Sequence, residues 1–226
     1  MRGKLIVIEG TDCSGKETQT KFLLEGLKKE GYKIEEFSFP NYNSPTGKIV
    51  GGCYLGKPHI GEGYFPEGAP SVDPEVSSLY YAADRKYNLP KISFLLENGI
   101  HVILDRYTYS NMAHQGGKIL EKEKRIKMYH WIEDLEFGLL ELPRPDIRVF
   151  LHMPFEQATI LRKSRTEKLD QNESDSEHLK HAELAYLEIA DLYEFKKIEC
   201  NKGNDIKSIP EIHEEVYAYV KEELKK

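Results

Sequence analysis

An apolar run, Leu5-Ile6-Val7-Ile8, passes almost directly into Gly10-Thr11-Asp12-Cys13-Ser14-Gly15-Lys16-Glu17-Thr18. No other stretch restricts the fold as much. A strand-like run, a glycine turn and a helix-compatible segment (Thr18 to Lys29) form the context that a phosphate-binding loop requires. Gly10 and Gly15 let the backbone turn tightly, so that successive N–H groups point inward at phosphate oxygens. The following helix N-terminus adds partial positive charge, and Lys16 reaches the β and γ oxygens. The expected phosphate-contacting set is Gly10, Asp12, Cys13, Ser14, Gly15, Lys16, Glu17 and Thr18. One position departs from the usual pattern: Glu17 stands where such loops carry Ser or Thr after the lysine, with Thr18 next door. A glycine-containing turn that binds nothing is the plain alternative; strand placement, spacing and Lys16 weigh against it.

The alternation of strand-like and helix-like segments continues to the end of the chain. Strands are expected at Lys4–Glu9, Lys33–Phe39, His101–Leu104, Ile147–Met153 and Lys197–Cys200. Helices are expected at Thr18–Lys29, Pro74–Asn88, Pro90–Asn98, Glu121–Leu140, Phe155–Lys163, 178–194 and Pro210–Glu223, with a short one broken by Gly51-Gly52. Residues 56–74 are rich in Gly and Pro and read as a surface loop over the substrate side. Ser164–Glu177 is polar and reads as a lid or a loop, and the acidic run Glu133–Glu136 as a solvated helix face. The pattern predicts one α/β domain over 1–226: a central parallel sheet of about five strands, helices on both faces, and a lid.

Bulk properties narrow the partners. The 226 residues are 39% apolar and 31% charged, and no apolar run approaches the ~20 residues of a membrane span. The N-terminus begins strand-like at Lys4 without a signal-peptide core, so the expected location is the cytoplasm. Cys13, Cys53 and Cys200 are odd in number and unpaired in spacing, which reads as free thiols. The net charge of −6 argues against a polynucleotide partner but not against a small anion held by local loops. His59, His101, His114, His152 and His181 have no metal-ligand spacing.

Two more constellations follow. Asp105-Arg106 ends a buried strand, where a doubly wound sheet presents its ligand groups. Asp105 suits Mg²⁺ or an acceptor, and Arg106 suits bidentate phosphate binding, although a structural ion pair there is as good a reading of the dipeptide alone. Ser110 and Gln115, five apart, can face one pocket, and Gln115 offers donor and acceptor to a base edge.

The order of these motifs resembles the thymidylate kinase family, from the Gly10–Thr18 loop nearly to the C-terminus. Phe39-Pro40 with Gly47 is similar to its Phe-Pro…Gly stretch, and Leu79-Tyr80-Tyr81-Ala82-Ala83-Asp84-Arg85 to its base-binding helix. Asp105-Arg106-Tyr107, Ser110 and Ala113-His114-Gln115 resemble its central signature; Pro145-Asp146 before a strand and Arg162-Lys163-Ser164-Arg165 before a polar lid also match.

The resemblance implies a P-loop NTPase-type three-layer fold in which the loop at 10–18 holds ATP, 39–88 form the substrate loop and helix, and 162–178 the lid. It implies transfer of the γ-phosphoryl of ATP to dTMP, giving dTDP, with Mg²⁺ assisting. Phe39, Pro40 and Tyr42 would belong to the dTMP site, Tyr81 would stack on thymine, Arg85 and Gln115 would read its edge, Arg106 would hold the monophosphate, and Asp12 would touch the sugar. Lys16, Asp105 and Arg106 would serve catalysis, with Arg162 or Arg165 supplying the lid cation, because Cys13 is not basic. Tyr42 replaces an arginine of the family's Phe-Pro-x-Arg, removing a charge from the acceptor site. Glu17 is expected either to turn outward or, with Asp105, to bind the metal. A homodimer is expected from the family. A kinase for another deoxynucleotide or nucleoside, favoured by Tyr42, and a silent nucleotide-binding protein, favoured by Glu17, remain as alternatives.

Overall fold

The computed structural model describes residues 2–163 and 169–226. Its centre is the strand the apolar run predicts, β1 (Leu5–Gly10), completely buried along its length. Around it lie β2 (Ile34–Ser38), β3 (His101–Asp105), β4 (Ile147–His152) and β5 (Lys196–Glu199) in the parallel order β2-β3-β1-β4-β5. A short antiparallel pair, β6 (Asn201–Lys202) and β7 (Asp205–Ile206), precedes the last helix.

Because side chains alternate along a strand, β1 feeds two cores at once. Leu5 and Val7 face one side, packed with Ile92 and Leu96 of α3 (Pro74–Glu97), Tyr109 and Met112 of α4 (Thr108–Gly116), Met128 of α5 (Lys122–Glu133) and Ile189 of α7 (Ser176–Leu192). Ile6 and Ile8 face the other, packed with Leu23 and Leu27 of α1 (Lys16–Lys29), Ala158 of α6 (Phe155–Lys163) and Val216 and Val220 of α8 (Ile209–Lys225). The result is a three-layer α/β fold with helices on both faces of a five-stranded parallel sheet, as expected from the alternation.

Three local expectations are corrected. The helices expected at Pro74–Asn88 and Pro90–Asn98 are one helix, α3, because exposed Pro90 loses one hydrogen bond to the carbonyl a turn earlier without meeting packed neighbours. The segment around Gly51-Gly52 is not broken: α2 (Pro45–Lys48) runs on as a π-helical turn over Ile49–Tyr54. Glu136, expected on a solvated face, lies in a second π-helical stretch, Asp134–Leu139, and is wholly buried.

A satellite apolar cluster of Val50, Tyr54, Leu55, Ala69 and Val72, with Phe65, Tyr80 and Tyr81 against it, shapes the 56–74 loop. Lys118 ties that loop down by donating to the carbonyls of Val72 (2.7 Å) and Ala69 (3.0 Å).

Candidate active site

The loop after β1 is pinned to the neighbouring strand before it reaches any ligand. Thr11 donates through Oγ1 to the Met153 carbonyl and accepts from the Met153 N–H, both at 2.8 Å, just beyond β4. Gly10 is required by close approach: a Cβ there would lie 2.5 Å from Ser14 Oγ and 2.7 Å from the Leu151 carbonyl. Cys13 and Gly15 both take left-handed backbone conformations, which turn the loop into the start of α1.

Lys16 is buried and folds over its own loop, donating to the Thr11 carbonyl at 2.8 Å and to Ser14 Oγ at 3.4 Å. Burial, with Arg106 adding to it, pulls its ammonium down to about 8, against the opposing pull of Asp105, Asp12 and Glu9. Glu17 takes the outward placement: its carboxylate is exposed and pairs with Lys21 one turn on, at 2.5 Å. This is the outward one of the two placements expected from sequence. An i,i+4 Glu–Lys pair at a helix start, where the dipole favours a carboxylate, accounts for the outward turn.

Asp105 and Arg106 end β3 beside this loop. Burial raises the Asp105 carboxyl above its usual range, although Lys16 and Arg106 pull it down, and its Oδ1 is buried with no hydrogen-bond partner. Arg106 has left-handed backbone and turns its guanidinium inward to Ser110 Oγ (3.3 Å) and the Tyr186 hydroxyl (3.2 Å). Burial opposes its charge, but Tyr186, Asp105 and Glu9 outweigh that and hold it protonated.

Beneath them lies Glu9, a buried carboxylate at the end of β1 that accepts from the N–H groups of Tyr107 (2.8 Å) and Ser110 (3.0 Å) and from Ser110 Oγ (2.5 Å). Desolvation raises its carboxyl; the Ser110 hydroxyl and Arg106 pull the other way. Reading the sequence for ligand groups missed Glu9, although an acid inside an apolar strand run is itself a signal.

A cavity of about 220 Å³ opens beside this cluster. Asp12, Phe39, Pro40, Tyr42, Tyr81, Arg85, Arg106 and Ser110 line it, which brings most of the expected acceptor residues together. The Phe39–Pro40 bond is cis, and the turn that follows is fastened to α3 by Asp84, which accepts from the Asn41 N–H (2.7 Å), Ser44 Oγ (2.8 Å) and Thr46 Oγ1 (2.7 Å). Gly47 closes this turn, since a Cβ there would sit 1.8 Å from the Asn41 carbonyl. Tyr81 stands edge-on to Tyr54 at 5.7 Å, and burial raises its hydroxyl well above the usual value.

Of the two expected base-edge residues, Arg85 lines the cavity and Gln115 does not. Arg85 reaches the wall, but its Nε and Nη2 are committed to both oxygens of buried Glu136. Gln115 is fully buried and does not line the cavity, because α4 turns it into the packing next to Tyr54. Asn111, not singled out from sequence, does line the cavity with an unpartnered Oδ1, while its Nδ2 is held by Glu136 at 2.9 Å. His114 is also in the wall, kept neutral by burial and by the stacked His178.

Two cations close the site. Arg162, near the end of α6, donates from Nε to Asp12 Oδ2 at 2.8 Å, and its Nη2 is buried without a partner. Lys57, missed from sequence within the Gly- and Pro-rich loop, lies 5.4 Å over the Tyr42 ring and 3.1 Å from Asp170. Its ammonium therefore stands beside Tyr42 but is paired with a shielded carboxylate. Arg165 lies outside the described residues. Among the described residues, no group of three or more His, Cys, Asp or Glu side chains is placed to hold a metal ion.

The thymidylate kinase family profile matches residues 8–216. A probable thymidylate kinase of Pyrococcus abyssi is 30% identical over 225 residues, 99% of this chain and 98% of that protein. The thymidylate kinase of Homo sapiens is 31% identical over 157 residues, 70% of this chain and 64% of that protein. The solved thymidylate kinase structure from Candida albicans superposes with a TM-score of 0.72 at 24% identity, covering 97% of this chain and 92% of that one, which supports the fold. Together with the loop after β1 and the cavity beside it, these matches establish that the chain belongs to the thymidylate kinase family.

Proposed function

We propose that residues 1–226 act as one kinase domain that transfers the γ-phosphoryl group of ATP to dTMP, releasing ADP and dTDP. The observation that carries this reading is the form of the cavity, which joins phosphate-loop Asp12 and strand-end Arg106 to an aromatic wall at Tyr81. A nucleoside monophosphate has the same polarity: a dianion at one end and a flat ring at the other. Phosphoryl transfer asks the protein mainly to align two polyanions and neutralise their charge. Lys16 and the loop N–H groups take the ATP phosphates, Arg106 the acceptor phosphate, and Arg162 the charge that develops between them. The attacking phosphate oxygen is already ionised, so no general base is required.

Mg²⁺ fits Asp105, whose buried Oδ1 is unpartnered; bound there, the ion would neutralise charge on the ATP phosphates. Tyr81 would stack on the base, and Arg85 and Asn111, also in the cavity wall, would meet its edge. No helix among the described residues is long and apolar enough to cross a membrane. The enzyme is proposed to act in the cytoplasm and, with a net charge of −6, without a polynucleotide partner. The exposed apolar side chains Val76, Leu79, Tyr87 and Phe94 on α3 form the face that a second copy would cover in a homodimer.

Label transfer tests the reaction. With γ-labelled ATP and dTMP, the label is expected in dTDP in equal amount to ADP. Formation of ADP without labelled dTDP would show hydrolysis instead and contradict the proposal.

A further inference from the structure

The acceptor cavity has a roof. The segment from Leu169 to the start of α7 contributes Asp170, Asn172 and Glu173 to the lining. Alternate residues of this short stretch do different things. Asn172 is only 6% exposed, belongs to the cavity wall, and has a buried Oδ1 with no hydrogen-bond partner. An unmet carboxamide oxygen that is shielded from water is costly and calls for a partner. Its surroundings say where in the cavity it stands. Burial pushes the Tyr54 hydroxyl up to about 12, and the side chains of Ser77, Gln115 and Asn172 beside it pull the other way. Tyr54 in turn packs edge-on against Tyr81, so Asn172 lies at the aromatic end of the cavity.

Gln171 points elsewhere, into a socket built from glycines of the 56–74 loop. A Cβ on Gly63 would lie 2.7 Å from its Nε2, one on Gly56 3.1 Å from the same atom, and one on Gly68 3.8 Å from its Oε1. Its Oε1 accepts from the Ala69 N–H at 2.7 Å, and its own N–H donates to the Leu55 carbonyl at 3.3 Å. One residue earlier, Asp170 is clamped by Lys57. The roof is thus fastened on both sides of the position that faces the cavity.

We propose that Asn172 contacts the base of the acceptor nucleotide, and that Gln171, seated in its glycine socket, is the positioning residue that holds Asn172 over the cavity. The proposal rests on the acceptor reading given above. Its chemistry suits a pyrimidine whose edge alternates carbonyl oxygens with an N–H: a carboxamide oxygen accepts from the ring N–H, and its NH₂ donates to a ring carbonyl. No arginine or lysine is needed at this end, since the charge of the substrate lies at the other. The loop at 56–74, which supplies the socket, thereby becomes part of acceptor binding without touching the substrate through Gln171.

The test is calorimetric titration of dTMP and, separately, of ATP into the full-length chain and into Asn172→Ala, Gln171→Ala and Gly63→Ala, with steady-state kinetics on each. Asn172→Ala is expected to weaken dTMP binding roughly tenfold, the worth of one good buried hydrogen bond, with ATP binding unchanged. Gln171→Ala and Gly63→Ala should weaken dTMP binding in the same direction while kcat at saturating dTMP stays within about twofold, a split that loss of folded protein would not produce. Gly63→Ala keeps the Asn172 side chain and acts through the Gln171 carboxamide that holds it, so it tests the arrangement even where Asn172→Ala fails to fold. Unchanged dTMP affinity in Asn172→Ala would overturn the contact, and unchanged affinity in Gly63→Ala would overturn the positioning. An unmodified chain that binds dTMP but does not phosphorylate it would contradict the kinase reading while leaving the binding comparison in force. An unmodified chain that does not bind dTMP would overturn both.

Discussion

Arg162 and Asp12 meet across 150 positions of sequence: the arginine Nε donates to the aspartate Oδ2 at 2.8 Å, joining the end of α6 to the phosphate loop. Both side chains are largely shielded, and the second terminal nitrogen of the guanidinium is buried with no partner. On the proposed kinase reading, that nitrogen is the donor left for a phosphoryl oxygen. Arg162→Ala is expected to lower kcat by at least about a hundredfold, with a smaller change in the KM for ATP, because the charge it neutralises is greatest in the transition state. Arg162→Lys should recover little, since an ammonium cannot hold Asp12 and a phosphoryl oxygen in the same planar fork. A kcat within about twofold of the unmodified chain in Arg162→Ala would remove this residue from the mechanism and point to Arg165 instead.

Lys16 makes the pH dependence specific. Burial lowers its ammonium to about 8 before ligand binds, so the charged form that ATP requires is complete below that value and lost above it. The expected profile of kcat/KM for ATP is a fall as pH rises through about 8, whereas kcat, which reports the phosphate-bound state, should hold to higher pH. Lys16→Ala should abolish turnover with little change in the thermal transition. A kcat/KM for ATP that stays flat to pH 10 would contradict the role given to this group.

Glu17 is expected to matter little. Its carboxylate is turned to solvent and paired with Lys21, so it is expected to act as neither a ligand nor an obstacle. Glu17→Ala should leave the Mg²⁺ concentration for half-maximal activity within about twofold, because the removed group contributes no coordination. A tenfold rise would identify the carboxylate as a metal ligand that swings inward when nucleotide is bound.

Glu136 is a structural prediction rather than a catalytic one. It is fully buried and accepts from Arg85, from Thr108 Oγ1 at 2.8 Å and from Asn111 Nδ2 at 2.9 Å. Removing one partner of a buried pair leaves the other charge uncompensated, so Glu136→Ala should destabilise the chain by about 3–5 kcal/mol in urea unfolding. A loss below about 1 kcal/mol would mean that Arg85 finds water or another acceptor, and that the cavity wall is softer than the packing indicates.

What the sequence carried legibly was local. The strand-loop-helix passage at 5–29, the buried runs that became β3 and β4, and the strand-end pair Asp105-Arg106 all express short-range rules of periodicity, glycine placement and charge. What stayed hidden was set by partners distant in sequence. Glu136 reads as solvated because its neighbours Glu133 and Asp134 are acidic, and only Arg85, fifty-one positions earlier, makes its burial tolerable. Pro90 reads as a helix boundary because the cost of a proline is local, whereas its exposure, which keeps that cost to one hydrogen bond, depends on where α3 lies. Gln115 carries the right chemistry for a base edge, but the rotation of α4 directs it elsewhere. Lys57, Gln171 and Asn172 belong to two loops with no periodic signal of their own, and their proximity to the cavity exists only after those loops pack together.

The decisive measurement is ADP release from Mg-ATP with dTMP, dUMP, dCMP, dGMP and thymidine offered in turn to the unmodified 226-residue chain. Strong turnover with dTMP, weaker turnover with the other monophosphates and none with thymidine is the expected result, because the cavity has Arg106, proposed to hold the phosphate, and Tyr81, proposed to stack on the base, in its wall. Preferred turnover of thymidine, or of dGMP, would contradict the assignment of Arg106 and Tyr81 to those two ends.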